Sequence, residues 1–430
     1  MNEIVNDCLA FLDAGVSPFH AIAESSRRLD AAGFTHLQES QPWQLEKGGK
    51  YYTTRNGSSL IAWRMPTETL GGWRGAAAHS DSPTYRITAS KVDDPRYARA
   101  RVEGYGGMRP ATWIDRPLTI AGRVLVRTEN GIETRLVCPD KDLLCIPSVC
   151  VHFDREGAKG APLNAASDMQ PIFGAKGADL AAAVAGEGDV VEYDLVLAPR
   201  QKAVTVGMNE EFFMSPRIDD LGAAYATLQG FLAGTGSADR GDIWCLFDNE
   251  EVGSGTRQGA LSNFLASILS RAEEAMGVTA DGHIQAQANT LMLSADNAHA
   301  THPNHPELSD PHHPIAMNGG VVVKYNASQK YTTSALTGAL FGEICRRADV
   351  PVQVYYNRAD MPGGSTLGNL LSWQNSVAMV DIGMGQLAMH SAVETAGCED
   401  VVYMVKAVSA FYNTRLAQPS DGNWTITDPQ

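Results

Sequence analysis

Three carboxylates arrive together directly after an apolar run, and few folds tolerate that. Ile243-Trp244-Cys245-Leu246-Phe247 reads as a buried strand, and Asp248-Asn249-Glu250-Glu251-Val252-Gly253 follows at once. Anions crowded against an apolar core are costly unless something positive offsets them. A metal site at the mouth of an α/β sheet meets that demand. The rest of the chain can then be searched for the remaining ligands.

The organisation of the chain fits such a sheet. Glu3 to Ala32 is expected to be helical, divided at Gly15-Val16-Ser17-Pro18, with Ser17 as N-cap and Pro18 in the first turn. Leu60–Trp63 and Arg74–His79 read as core strands. From about Tyr85 to Met214 short β-branched runs dominate, such as Val190 to Leu197, punctuated by Gly, Pro and Asn. Arg155 to Gln170 reads as a surface loop. From Asp219 onward helix and strand alternate: helices over Leu221–Leu232, Gly259–Met276, Thr333–Ala348 and Cys398–Asn413, with strands over Ile243–Phe247, Thr290–Ala295, Gly319–Lys324, Val352–Tyr356 and Ser376–Ile382. This alternation predicts an α/β fold of three layers, helices covering both faces of a sheet. The domain reading is a discontinuous α/β domain over residues 1–86 and 215–430, carrying a β-rich insert over 87–214.

Composition narrows the partners. The 430 residues suggest two or three domains, and 44% hydrophobic residues supply ample core. The balance of 34 basic against 49 acidic residues gives a charge of −15, which opposes nucleic acid and anionic membranes. An acidic substrate would need a local basic pocket. Seven scattered cysteines without a CxxC pair read as reduced, buried thiols of a cytoplasmic protein. The start of the chain lacks the pattern of a secretory leader, and no apolar run approaches the ~18 residues of a membrane span.

The candidate ligands each have a bland reading as well. His79-Ser80-Asp81 follows a strand; the imidazole is a ligand with an orienting carboxylate or a satisfied structural histidine. Asp219-Asp220 opens a helix, where aspartate also serves as a cap. Asp296 ends the strand Leu291–Ala295. In the segment behind it His299, His302 and His305 recur at spacing three, but Pro303 and Pro306 exclude a helix that would align them. Of these only His299 is a functional candidate; His302, His305, His312 and His313 read as loop or surface residues. His390 precedes the last helix and suits a ligand or a structural donor. Together, His79, Asp219, Glu250, Glu251, Asp296 and His390 all fall at strand ends or helix starts, where sites of α/β sheets gather. Two histidines with several carboxylates suit two divalent cations such as zinc, manganese or cobalt. Glu250 and Glu251 should point to different sides of the backbone, so one can bind metal while the other acts as a base. Phosphate-loop, HExxH and GxSxG motifs are absent.

Five ordered segments resemble the aspartyl aminopeptidase family of metallo-aminopeptidases: His79-Ser80-Asp81-Ser82-Pro83, Arg217-Ile218-Asp219-Asp220-Leu221, Asp248 to Ser254, Ser294 to Asn304 and Gln386 to Ser391. The resemblance spans essentially the whole chain. It implies Asp219 as a carboxylate bridging two metals, zinc first and cobalt or manganese as alternatives. His79 and Asp296 would complete one site, Glu251 and His390 the other. Glu250 would be the general base, and Asp81 would orient His79. The resemblance further implies a dimer-based homo-oligomer, a tetrahedral dodecamer, whose β-rich domain makes subunit contacts. His152 would serve a neighbouring subunit's site, while Lys324 and His299 would face the substrate side chain. The implied activity is removal of the N-terminal residue of peptides, acidic residues preferred. A neutral-residue preference, a metal-dependent deacylase or carboxypeptidase, and a non-catalytic scaffold are the competing readings.

Overall fold

In a computed structural model, residues 2–427 are described apart from positions 156, 158, 159, 161 and 187. Among them a nine-stranded sheet forms the centre. Its middle consists of the parallel strands Gly241–Phe247, Trp73–His79, Leu291–Ala295 and Ala378–Gly383, adjacent in that order. Parallel strands are covered on both faces, so their sequences are apolar almost throughout. The alternation of side chains divides them. Ala76, Ala78, Trp244, Leu246, Leu291 and Leu293 pack against the helices Glu3–Ala14, Ile218–Leu232 and Cys398–Tyr412. Trp73, Ala77, Ile243, Cys245, Phe247 and Met292 pack on the opposite face against Phe264–Ala275 and Leu367–Asn375. The result is the three-layer α/β arrangement that the alternation predicts.

The β-rich part is a six-stranded antiparallel sheet of Gly131–Val137, Leu118–Thr128, Asp189–Pro199, Thr84–Val92, Tyr97–Tyr105 and Ile172–Ala175, in that spatial order. It has its own core, including Tyr85, Val102, Ile120 and Leu195. Strands Val204–Val206 and Phe212–Ser215, placed with the insert by sequence, join a different sheet: Phe212–Ser215 pairs with Glu394–Gly397. Long-range pairing of this kind leaves no local signal in the sequence. Likewise the helix expected from Gly259 begins at Phe264. The preceding residues turn back on themselves, and a side chain at Gly259 would collide with the Ser254 carbonyl at 2.2 Å.

All seven cysteines are free; Cys8, Cys245, Cys345 and Cys398 are buried, whereas Cys150 is exposed, which departs from the expectation of buried thiols. No described helix is long and apolar enough to cross a membrane.

Candidate metal centre

The central parallel strands end side by side, and their carboxyl ends deliver the site. His79 is the last residue of its strand and lies opposite Phe247, which Asp248 follows. Asp296 follows the neighbouring strand Leu291–Ala295. Asp219 and Asp220 stand at the start of Ile218–Leu232 but have non-helical backbone angles. An N-cap has such angles too, but no described helix N–H donates to either carboxylate; Asp220 Oδ2 instead accepts the N–H of His79 at 3.1 Å.

Ligand-bearing groups of His79, Asp219, Asp220 and Asp296 lie within 4.8 Å of one another, as do those of Asp219, Glu251 and His390. A third such group is His79, Glu250 and Glu251. Asp219 belongs to the first two sets. One of its oxygens is 3.3 Å from His79 Nε2, the other 3.3 Å from His390 Nε2. His390 Nε2 is also 3.4 Å from Glu251 Oε1. Both imidazoles turn Nδ1 outward to a backbone carbonyl: His79 to Asp81 at 3.0 Å, His390 to Gly107. That arrangement places a proton on Nδ1 and turns both Nε2 atoms inward, the orientation of a metal-ligating histidine.

Buried Asp81 organises the carboxylate turn as well as His79. Its Oδ1 accepts the Glu250 N–H at 3.1 Å; its Oδ2 accepts the Glu251 N–H at 3.1 Å and the Tyr105 hydroxyl at 2.7 Å. Asn249, in the left-handed region at φ 63°, starts this turn, and Gly253 at φ 93° ends it. Two successive glutamates are thereby fixed with their N–H groups on one carboxylate.

The electrostatics demand positive charge. Burial, then the carboxylates of Asp296, Asp81 and Asp219, push Glu250 up to about 8. Glu251, Asp220 and Asp296 are also raised, chiefly by burial. Burial acts the same way on Asp219, but His390 and His79 outweigh it and hold that carboxylate low. Burial would lower His390, yet Asp219 lifts it to about 9. Asp219 Oδ1, Asp220 Oδ1 and Glu251 Oε1 are buried without a hydrogen-bond donor. Orphaned anionic oxygens are expensive unless a cation takes their free lone pairs. The donor set, imidazole nitrogens and carboxylate oxygens, suits divalent zinc, manganese or cobalt.

The other expected residues are distributed as follows. Lys324 is 2% exposed; its ammonium donates to the carbonyls of Asp296 at 2.6 Å and Asn297 at 3.3 Å, and lies 3.6 Å from Asp296 Oδ2. His299 is exposed and meets Tyr355 edge-on. His152 lies exposed in a turn of the β-rich part and joins none of the ligand groups within this chain. His302, His305 and His312 are exposed loop residues.

Sequence reasoning left out Tyr105 and Glu394, and it names Asp220 beside Asp219 without giving it a ligand role. Glu394 accepts the N–H of Asp219 at 2.9 Å and that of His390 at 2.7 Å. Its only signal is one carboxylate within the small and apolar run Ala392-Val393-Glu394-Thr395-Ala396.

Comparison with known proteins gives consistent findings. Residues 11–412 match the family model described as "Aminopeptidase I zinc metalloprotease (M18)". A "Probable M18 family aminopeptidase 2" of Clostridium novyi (strain NT) is 38% identical over 428 residues, 96% of this chain and 99% of the relative. Among solved structures, a chain of the Ape4 and Nbr1 complex superposes with a TM-score of 0.90 at 31% identity, covering 95% of this chain and 85% of that one. The S. cerevisiae mApe1 dodecamer gives 0.83 at 28% identity, covering 95% and 96%.

Proposed function

The chain belongs to the M18 family of metallo-aminopeptidases, and from that premise we propose that it removes the N-terminal residue of peptides with two divalent cations, zinc foremost. His79, Asp219 and Asp296 would hold one ion; Asp219, Glu251 and His390 would hold the other. The observation that carries this reading is the pair of ligand groups sharing Asp219, with Glu250 in the same turn as Glu251.

When bound, the cations would supply Lewis acidity to the scissile carbonyl and acidify the attacking water. The chain's own residues do the rest. Glu250 takes the proton of that water and returns it to the leaving amine, since one base serves as acid in the following step. Its high proton affinity without cations reflects burial and then the surrounding anions, and bound cations would draw it down toward the working range. Asp81 keeps Glu250 and Glu251 on their separate tasks through the two N–H bonds. The free α-amine of the substrate would rest near the acidic cluster, which favours exopeptidase action.

A preference for acidic first residues is supported by the positive charge of Lys324, whose field reaches His299. A neutral preference is the second reading. It is favoured by the burial of Lys324, whose ammonium already serves two carbonyls. We also propose a homo-oligomer, dimer-based and dodecameric, in keeping with the mApe1 dodecamer. The β-rich insert, residues 87–214 between 1–86 and 215–430, would make the contacts and bring His152 to a neighbouring site. Exposed Val149, Val151 and Phe153, the last 88% exposed, support a covered surface there. Free cysteines accord with a cytoplasmic location.

The test is metal content measured with cleavage rates on a panel of aminoacyl substrates, with free and blocked N-termini. Two ions per chain, faster turnover of Asp and Glu than Leu, and no cleavage of blocked peptides are expected. Leu at or above Asp transfers the reading to a neutral preference. Cleavage of blocked peptides indicates a deacylase or carboxypeptidase. Absence of both metal and turnover indicates a scaffold.

A further inference from the structure

Glu394 has no part in the chemistry above, yet it is 1% exposed and its carboxylate joins two ligand-bearing segments. One oxygen accepts the N–H of Asp219, the other that of His390. Neither N–H belongs to regular structure. Asp219 has φ −82° and ψ 108° at the mouth of its helix, and His390 has a left-handed φ of 65°. Glu394 pairs across the strands with Ser215, the last rung of that antiparallel pair. Asp219 lies four positions after Ser215, and His390 four positions before Glu394. Both segments therefore leave the sheet at this rung, and the Glu394 carboxylate is the tie between them just beyond it.

We infer that Glu394 is a positioning residue that fixes Asp219 relative to His390, and so acts chiefly on one cation, the one these two share with Glu251. The other ion shares Asp219, but its remaining side chains are anchored elsewhere: His79 on Asp81, Asp296 beside Lys324. This rests on the two-cation reading proposed above. Residues that orient metal ligands are commonly worth about 10–100-fold in metal affinity. Here that loss should fall chiefly on the ion that Asp219 and His390 share.

The experiment titrates metal-depleted full-length protein with Zn²⁺, and separately with Mn²⁺, by calorimetry. Glu394→Gln keeps the size but offers one acceptor oxygen and presents an NH₂ to the second N–H. Wild type is expected to bind two ions. Glu394→Gln should bind one as wild type does and the other about 10–100-fold more weakly. Glu394→Asp, which keeps both acceptors on a shorter stem, should weaken the same ion less, and decides the matter if the glutamine variant does not fold. The control is Asp400→Asn: Asp400 is another buried carboxylate holding two N–H groups, of Asn318 and Gly320, away from the ligands. It should keep both wild-type affinities. Fewer than two ions in wild type overturns the two-cation reading. Two ions in wild type with both affinities unchanged, or both lowered equally, in the Glu394 variants overturns the assignment. Selective loss of the same ion in Asp400→Asn overturns it too.

Discussion

Asp81 and Glu394 perform similar work in one site, with very different reach. Asp81 gathers the N–H groups of Glu250 and Glu251, adjacent in sequence, onto one carboxylate. Glu394 gathers those of His390, four positions away, and Asp219, 175 positions away. The first clamp shapes a single turn. The second joins two remote parts of the chain. Function concentrated in one turn is vulnerable to changes within it, whereas a site spanning remote segments also depends on the sheet that brings them together.

The largest expected effect bears on both clamps at once. Chelation should abolish turnover and lower the melting temperature, because the clustered carboxylates lose their countercharge. Each ion at a thousandfold excess over its Kd is worth about 4 kcal/mol of stability. Restored turnover on adding Zn²⁺, Mn²⁺ or Co²⁺ separates loss of metal from irreversible unfolding. Next, Glu250→Gln should lower kcat by about 10²–10⁴-fold while both ions stay bound, as steady-state rates and metal analysis would reveal. A near-normal rate would remove Glu250 as the base.

Asp81→Asn tests the local clamp. It should weaken metal binding and turnover by about 10–100-fold, since the amide offers one acceptor where three donors converge. Because Glu251 and His390 hold the same ion in the proposed assignment, part of this loss should fall on the ion that Glu394→Gln weakens, and no loss there would break the comparison. Tyr105→Phe deletes one of those donors and should cost about 1–2 kcal/mol of stability with little change in metal stoichiometry, readable by denaturant unfolding. The smallest effect concerns Asp400. Burial pushes it up to about 7 from an ordinary 3.8. A raised carboxyl gives stability that is complete below the unfolded value and is lost as pH rises through the folded one. Asp400→Asn should therefore flatten the stability profile between about pH 4 and 7, as thermal unfolding across that range would show.

The same contrast explains what the sequence makes legible. Ile243–Phe247 and Leu291–Ala295 are readable because a strand buried on both faces has no polar interruptions. His79, Asp219, the Glu250 turn and Asp296 are readable because they sit at the end of such a strand or open a helix, whereas His390 is not at a helix entry: the strand Glu394–Gly397 separates it from Cys398–Tyr412. Glu394 is not, because its burial comes from pairing with Phe212–Ser215, which no nearby residue announces. The helix Ala280–Ala288 was missed for another reason: Ala286 is its one buried residue, so it has no apolar face to detect. Lys324 is recognisable as a candidate, but its carbonyl partners emerge only once Val321–Tyr325 takes its place in the sheet.

In chain order, His390 and Glu394 come after every other member of the centre. A growing polypeptide therefore carries His79, the Glu250 turn and Asp296 before it can close the cage. Products of premature termination upstream of His390 would hold the acidic cluster without the means to complete it. On the proposed assignment, hydrolytic power would thus be withheld from unfinished copies by the order of synthesis.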